Sequence, residues 1–234
     1  MSGFGLGTLM LPVFAVFFPI EIAVGMTAIV HVLNNIFKFS MLYKSVNKHV
    51  LLLFGVPGIL GAFLGAKLLL VVGNLPPFAW GDLLLDPIKA SIGILMIFFA
   101  LTELFPSMLK LNFSGNRLVA GGLLSGFFGG FSGHQGALRS MFLIKLELKK
   151  EVYIATGVAI ALLVDATRIP IYISKYLGSE LVTQWPTIVV ATFAAFVGAW
   201  VGKKFIPKIT LKTVHLLVGV LMIVMGVALF FNWV

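Results

Sequence analysis

The chain has 234 residues, of which 60% are hydrophobic and 11% are charged, and its mean hydropathy is +1.10. A soluble domain of this length needs more charge to cover its surface, so lipid must surround most of the exterior. The net charge of +9 comes from basic residues in short gaps between apolar runs, which is typical of membrane orientation signals. We find no nucleic-acid motif and expect no such partner.

Eight apolar stretches follow one another, and about 20 apolar residues are needed to cross the hydrocarbon core of a bilayer. Six are ordinary spans, whereas the first is too short and the fifth is too long. The stretches are Leu6–Phe18, Ile20–Tyr43, His49–Gly73, Pro87–Phe105, Leu118–Leu146, Val152–Ile173, Trp185–Phe205 and Leu211–Trp233. Glycines interrupt the fifth between Gly126 and Gly136, which is tolerated only inside protein or beside a water-filled cavity.

Short sequence matches between the two halves indicate an internal repeat, a common way of building secondary transporters. The matches keep the same order in both halves. They pair Gly7–Leu9 with Gly136–Leu138, Thr27 with Thr156, Pro57 with Pro186, Gly61–Lys67 with Gly198–Lys204, and Gly93–Ile97 with Gly219–Ile223. We therefore expect an all-α integral membrane protein with two repeats of four helical segments, residues 1–110 and 111–234.

The basic residues favour an inverted arrangement of these repeats. If all eight segments span the membrane, the two halves contradict each other under the positive-inside rule. If segments one and five are re-entrant, one side collects Lys44, Lys48, Lys110, Arg117, Lys145, Lys149, Lys150, Lys203, Lys204, Lys208 and Lys212. We prefer the re-entrant arrangement, with this side in the cytoplasm. Eight plain spans are the alternative.

The repeat also bears on the start of the chain. Met1 aligns with Gly130, so the first repeat lacks the descending arm that Leu118–Phe128 supplies in the second. We expect the native start to lie upstream of Met1; the alternative is an incomplete first hairpin.

Three stretches carry a family resemblance: Ser2–Pro12 with its Gly-Phe-Gly-Leu-Gly-Thr core, Pro19–Thr27, and the Gly-Ala-Phe-Leu-Gly-Ala helix at Gly61–Ala66. They resemble the TauE/SafE family of membrane permeases, although Met26 interrupts a Gly-Thr pair and Gly133–Gly136 is more polar than the family pattern. The resemblance covers nearly the whole chain. It implies movement of sulfite or an organosulfonate, coupled to an ion gradient, in a prokaryotic inner membrane.

The glycine-rich tips of segments one and five are the expected anion site. The half-helices that begin near Gly5–Thr8 and Gln135–Leu138 would point their N-termini at the bilayer midplane, and helix N-termini favour anions. Backbone groups at Gly5, Gly7, Gly133 and Gly136 would then be open to a ligand. Close helix packing is the alternative, and we prefer it for Gly61/Gly65 and Gly198/Gly202.

Polar side chains inside the spans complete the expected site, because such groups usually face a cavity or a partner. We expect substrate contacts from Thr27, Asn34, Asn35, Ser132, His134, Gln135, Arg139, Thr156 and Arg168. His31 and Asp165 are the coupling candidates, with a proton or a sodium ion as the coupling ion. A structural histidine, a structural Asp165–Arg168 pair and a Lys38 that snorkels to the interface are the alternatives.

The favoured function is a secondary transporter that moves a small inorganic or organosulfur anion, and a passive anion channel is the alternative. No metalloprotease or nucleophile-elbow motif is present, so we expect no enzyme, no metal site and no cofactor. Membrane lipid is the only other partner expected, and the sequence does not indicate an oligomeric state.

Overall fold

The computed structural model describes residues 6–81, 83–105, 117–177, 180–205 and 211–234, and these are helical apart from short connections and one small hairpin. The α-helices are α1 Leu6–Phe17, α2 Ile20–Leu42, α3 Lys48–Val50, α4 Val56–Val72, α5 Pro87–Leu104, α6 Arg117–Ser132, α7 Gln135–Leu143, α8 Lys150–Tyr172, α9 Glu180–Phe205 and α10 Leu211–Phe230. The strands β1 Phe78–Trp80 and β2 Leu83–Leu85 pair antiparallel between α4 and α5. A π-helical turn, Leu51–Gly55, joins α3 to α4.

Three helical stretches among the described residues are long and apolar enough to cross a membrane: Ile20–Ser45, Lys48–Val72 and Lys150–Lys175. Shorter apolar helices lie at Gly7–Phe17, Pro87–Thr102, Thr183–Gly198 and His215–Phe230. Large apolar side chains cover the outside, where Val190, Phe193 and Leu217 are each more than 60% exposed. This surface suits lipid rather than water, so the expectation of an all-α integral membrane protein is confirmed.

The fifth apolar stretch is a helical hairpin made of α6 and α7. Its two helices fold back on each other, as two contacts between them show. A Cβ atom at Gly121 would lie 2.5 Å from the Phe142 ring, and Ser125 Oγ donates to the Gln135 carbonyl oxygen at 2.9 Å. The interruption is narrower than the glycine pattern indicates, since α6 remains helical to Ser132 and only Gly133 and His134 separate it from α7. Gly133 makes the turn with φ +81°, which a residue with a side chain rarely adopts.

The glycines before this turn serve helix packing. Along α4 and α6, a Cβ atom at Gly61 or Gly65 would lie 2.1 or 2.0 Å from a carbonyl oxygen of α6, and one at Gly126 would lie 2.1 Å from the Gly58 oxygen of α4. A Cβ atom at Gly130 would meet the Ala62 oxygen of α4 in the same way, and one at Gly122 would lie 2.1 Å from the Phe54 oxygen in the π-helical turn before α4. We call this contact, formed by Gly58, Gly61, Gly65, Gly122, Gly126 and Gly130, the glycine seam. It agrees with the packing interpretation of Gly61 and Gly65.

Helices that match in sequence between the two halves also pack against each other, α2 on α8 and α5 on α10. The closest α5–α10 approach is at Gly93, where a Cβ atom would lie 2.5 Å from the Gly226 carbonyl oxygen. The main apolar core includes buried side chains of α1, α2, α5 and α10, such as Leu11, Ile20, Met96 and Met222. The expected boundary between repeats, at residues 110 and 111, lies outside the described residues.

Candidate functional site

The N-terminal end of α1 meets the α6–α7 turn inside the protein. A Cβ atom at Gly7 would lie 3.6 Å from the Gly133 carbonyl oxygen, and 3.7 Å from side-chain carbons of His31 and Thr27 on α2. The first turn of α7, with Gln135 and Gly136, is buried at the same place. Two helix N-termini and the middle of α2 therefore converge, as expected for the glycine-rich tips. Gly5 lies outside the described residues.

Asp165, on α8, is the centre of the buried polar contacts. Its carboxylate accepts hydrogen bonds from His31 Nδ1 at 2.6 Å, from Gln135 Nε2 at 3.1 Å and from Arg168 Nε at 2.9 Å. Asp165 and Arg168 are fully buried, and His31 and Gln135 are nearly so. Three elements, α2, α7 and α8, thus meet at one carboxylate. We call His31, Gln135, Asp165 and Arg168 the polar junction.

Because His31 Nδ1 donates to Asp165, its Nε2 is left as an acceptor in the neutral ring. The Asn35 amide nitrogen lies 3.3 Å from that atom, one helical turn along α2. The expected coupling pair, His31 and Asp165, is therefore in direct contact, and Asn35 contacts the His31 ring as well.

Arg168 also ties α8 to the end of α6. Its Nη1 donates to the Gly129 carbonyl oxygen at 2.7 Å, while Nη2 lies 2.8 Å from Asp165 Oδ1. Tyr172, one turn further along α8, donates its hydroxyl to the Gly130 carbonyl oxygen. These carbonyls lie in the last turn of α6, and the Gly129 oxygen also accepts from Gly133 N at 3.1 Å. Tyr172 was not among the residues expected from the sequence, although it lies on the same helix face as Arg168.

Arg139 lies one turn along α7 from Gln135 and is partly buried. Its Nη1 donates to Gln135 Oε1 at 3.3 Å. Its guanidinium contacts no carboxylate within ion-pair distance among the described residues. Arg139 and Arg168 carry two positive charges against the single negative charge of Asp165. This region therefore has a net positive charge even when His31 is neutral.

Within the described part of the chain, the buried polar atoms without a hydrogen-bond partner include Thr27 Oγ1, Asn34 Oδ1 and His134 Nε2, besides Arg168 Nη2 in its ion pair with Asp165. His134 stacks on Phe99 of α5 with ring centroids 5.5 Å apart, and its Nδ1 lies 3.1 Å from Ser132 Oγ. Buried polar atoms normally have partners, so each unpaired atom is a contact point for a ligand or for water.

Thr156 is placed apart from these groups. Its hydroxyl oxygen accepts a hydrogen bond from the Asn47 backbone nitrogen at 2.9 Å, which attaches α8 to the connection between α2 and α3. Thr27 and Thr156 match in the repeat, but they have different surroundings in the structure.

The chain matches the family model described as Sulfite exporter TauE/SafE over residues 1–229. No curated protein and no solved structure matches it. Members of that family are transporters, in agreement with the expectation that the chain is not an enzyme, and the resemblance drawn from the sequence motifs is confirmed. The chain therefore belongs to the TauE/SafE family of sulfite exporters, integral membrane transporters for sulfite or related anions.

Proposed function

We propose that the protein is a secondary transporter for sulfite or an organosulfonate, with its binding site between the N-termini of α1 and α7. The observation that carries the proposal is the meeting of Gly7 with Gly133 beside the buried, unpaired atoms Thr27 Oγ1 and His134 Nε2. Helix N-termini offer free N–H groups and partial positive charge to an oxyanion.

Charge supports the same proposal. The Arg139 guanidinium donates to the neutral Gln135 amide and has no carboxylate partner among the described residues, so it would supply the positive charge that a small anion needs inside a membrane protein. The backbone of Gly133 and Gly136 and the side chains of Ser132 and Asn34 would complete the contacts. Arg168 donates to Asp165 and to the Gly129 carbonyl oxygen, so its positive charge would act on the anion from a fixed position.

The transport cycle that fits this arrangement is alternating access between two inverted repeats, residues 1–110 and 111–234, with α1 and the α6–α7 hairpin as re-entrant elements. The packing of α2 on α8 and of α5 on α10 supports a two-fold relation between the halves. The His31–Asp165 pair would carry a coupling proton. The family resemblance favours a prokaryotic inner membrane as the location.

The proposal is tested by flux of sulfite into proteoliposomes, with and without an imposed pH gradient. Accumulation beyond equilibrium that collapses with the gradient supports a coupled transporter, whereas flux that only equilibrates identifies a passive anion channel. Arg139→Gln should lower the rate about tenfold or more, because a charge-assisted hydrogen bond to the anion is lost. Arg117→Gln, at the distant start of α6, is the matched control and should keep the wild-type rate. If neither sulfite nor a sulfonate moves, the proposal fails.

A further inference from the structure

Gln135 has an unusual position in the polar junction, because both ends of its side-chain amide are engaged. Its Oε1 accepts from Arg139 at 3.3 Å, and its Nε2 donates to Asp165 at 3.1 Å. Its backbone is held as well, since Ser125 Oγ donates to its carbonyl oxygen at 2.9 Å. One neutral side chain thus bridges the half-buried arginine and the buried His31–Asp165 pair.

We infer that Gln135 is the positioning residue that couples anion binding at Arg139 to proton uptake at the His31–Asp165 pair, an inference that rests on the proposed function. An anion at Arg139 competes with Gln135 Oε1 for the guanidinium N–H groups. Once that contact is released, the amide is free to turn away from Asp165. The carboxylate then loses one of the donors that stabilise its charged form.

The sign of the coupling follows from this loss. A carboxylate with fewer donors holds a proton more tightly, so anion binding strengthens proton binding at the pair. By linkage, protonation of the pair then strengthens anion binding by the same factor. The bound anion also offsets the charge of Arg139, which acts in the same direction. Anion and proton therefore bind together.

Other ionisable groups surround the pair and remain in place during this exchange. Arg168 and Tyr172 lie on α8, Lys38 lies two turns beyond His31 on α2, and His134 precedes α7. Arg168 keeps its contacts to Asp165 and to the Gly129 carbonyl oxygen, so it supplies a constant field. Among the described contacts, only the Gln135 amide touches both Arg139 and Asp165.

The test measures binding of methanesulfonate to the purified full chain in detergent between pH 5 and pH 8, a range chosen because the probe stays ionised and adds no titration of its own. In the wild type, binding should be at least about fivefold tighter at the acidic end, and it should take up protons from a weakly buffered solution. Gln135→Met keeps the shape of the side chain without its hydrogen bonds. It should reduce the ratio between the affinities for methanesulfonate at pH 5 and at pH 8 to below about twofold.

Two further variants sharpen the result. Gln184→Leu removes the other glutamine of the chain, on α9, and should keep the wild-type ratio. Gln135→Glu replaces the amide donor by a carboxylate beside Asp165. In this variant the His31–Asp165 pair should already hold the proton without anion. Equal pH dependence and proton uptake in the wild type and in Gln135→Met would overturn the inference while leaving the transporter intact. Release of protons on anion binding would overturn its sign. If the wild type binds neither methanesulfonate nor sulfite, the proposed function falls as well.

Discussion

The glycine seam and the polar junction join helices in opposite ways. In the seam, α4 and α6 approach until backbone meets backbone, and a Cβ atom at Gly65, Gly126 or Gly130 would lie 2.0, 2.1 or 2.2 Å from a carbonyl oxygen of the other helix. In the polar junction, α2, α7 and α8 are connected through long side chains that converge on Asp165. The closest contacts of the seam are between backbone atoms. Every contact of the polar junction instead depends on the charge or the rotamer of a side chain.

This difference separates the part of the molecule that is rigid from the part that responds. Close-packed backbones offer one geometry only, so α4 and α6 are expected to move as a unit. Contacts at Asp165 change when a proton or an anion arrives, because their strength depends on the charges present. Helix α6 belongs to both regions, since its Gly129 and Gly130 carbonyls accept from Arg168 and Tyr172. These two contacts fix the end of α6 to α8, so the rigid pair of α4 and α6 and the polar junction share one helix.

The largest effect is expected from Asp165→Asn. The substitution leaves Arg168 fully buried without its counter-charge, and breaking such a pair costs about 4 kcal/mol. We expect a strong loss of monodisperse protein on size-exclusion chromatography and a much lower thermal midpoint. Asp86→Asn is the matched control. Asp86 caps α5 by accepting from Ile88 N and Lys89 N, a role that asparagine fills equally well. Equal stability of the two variants would show that the junction is not held by charge.

The seam is broken by Gly65→Ala. The new Cβ atom would lie 2.0 Å from the Phe127 carbonyl oxygen, so the helices must separate at a cost of about 3 kcal/mol. The expected result is a lower thermal midpoint of the purified protein. Gly198→Ala is the control on α9, in the helix that matches α4 in sequence. Among the described residues, a Cβ atom there meets nothing within 4 Å, so the stability of the variant should stay near that of the wild type. A fully tolerated Gly65→Ala would contradict the seam as a rigid contact.

Local patterns were sufficient to predict the helices, an interruption somewhere between Gly126 and Gly136, and the spacing of Asp165 and Arg168 on one helix face. Glycine roles were harder to predict, because composition does not tell which glycine turns the chain. Gly126 and Gly130 pack on α4, and Gly133 alone has a positive φ in the fifth stretch.

Contacts between distant residues could not be predicted from the sequence. The His31–Asp165 contact joins residues 134 positions apart and depends on how α2 packs on α8. The Gln135 contact to Asp165 depends on how α7 packs on α8, whereas its contact to Arg139 lies within α7. Thr156 shows the limit of the repeat argument, because the sequence comparison pairs it with Thr27 whereas its hydroxyl accepts from the Asn47 backbone nitrogen in the structure.

The smallest effect is expected from Tyr172→Phe. The change keeps the ring and removes only the hydroxyl that donates to the Gly130 carbonyl oxygen. A buried acceptor left without its partner costs about 1 to 2 kcal/mol, less than the loss of the Asp165 charge, because both lost groups are neutral. The measurement is the thermal midpoint, with Tyr43→Phe, at an exposed tyrosine, as the control that should not change it. Such a small loss would show that the Tyr172 contact is separable from the contacts of the polar junction, unlike the seam, where one methyl group pushes whole helices apart. A drop as large as that of Asp165→Asn would instead mean that Tyr172 and the charged pair act as a single unit.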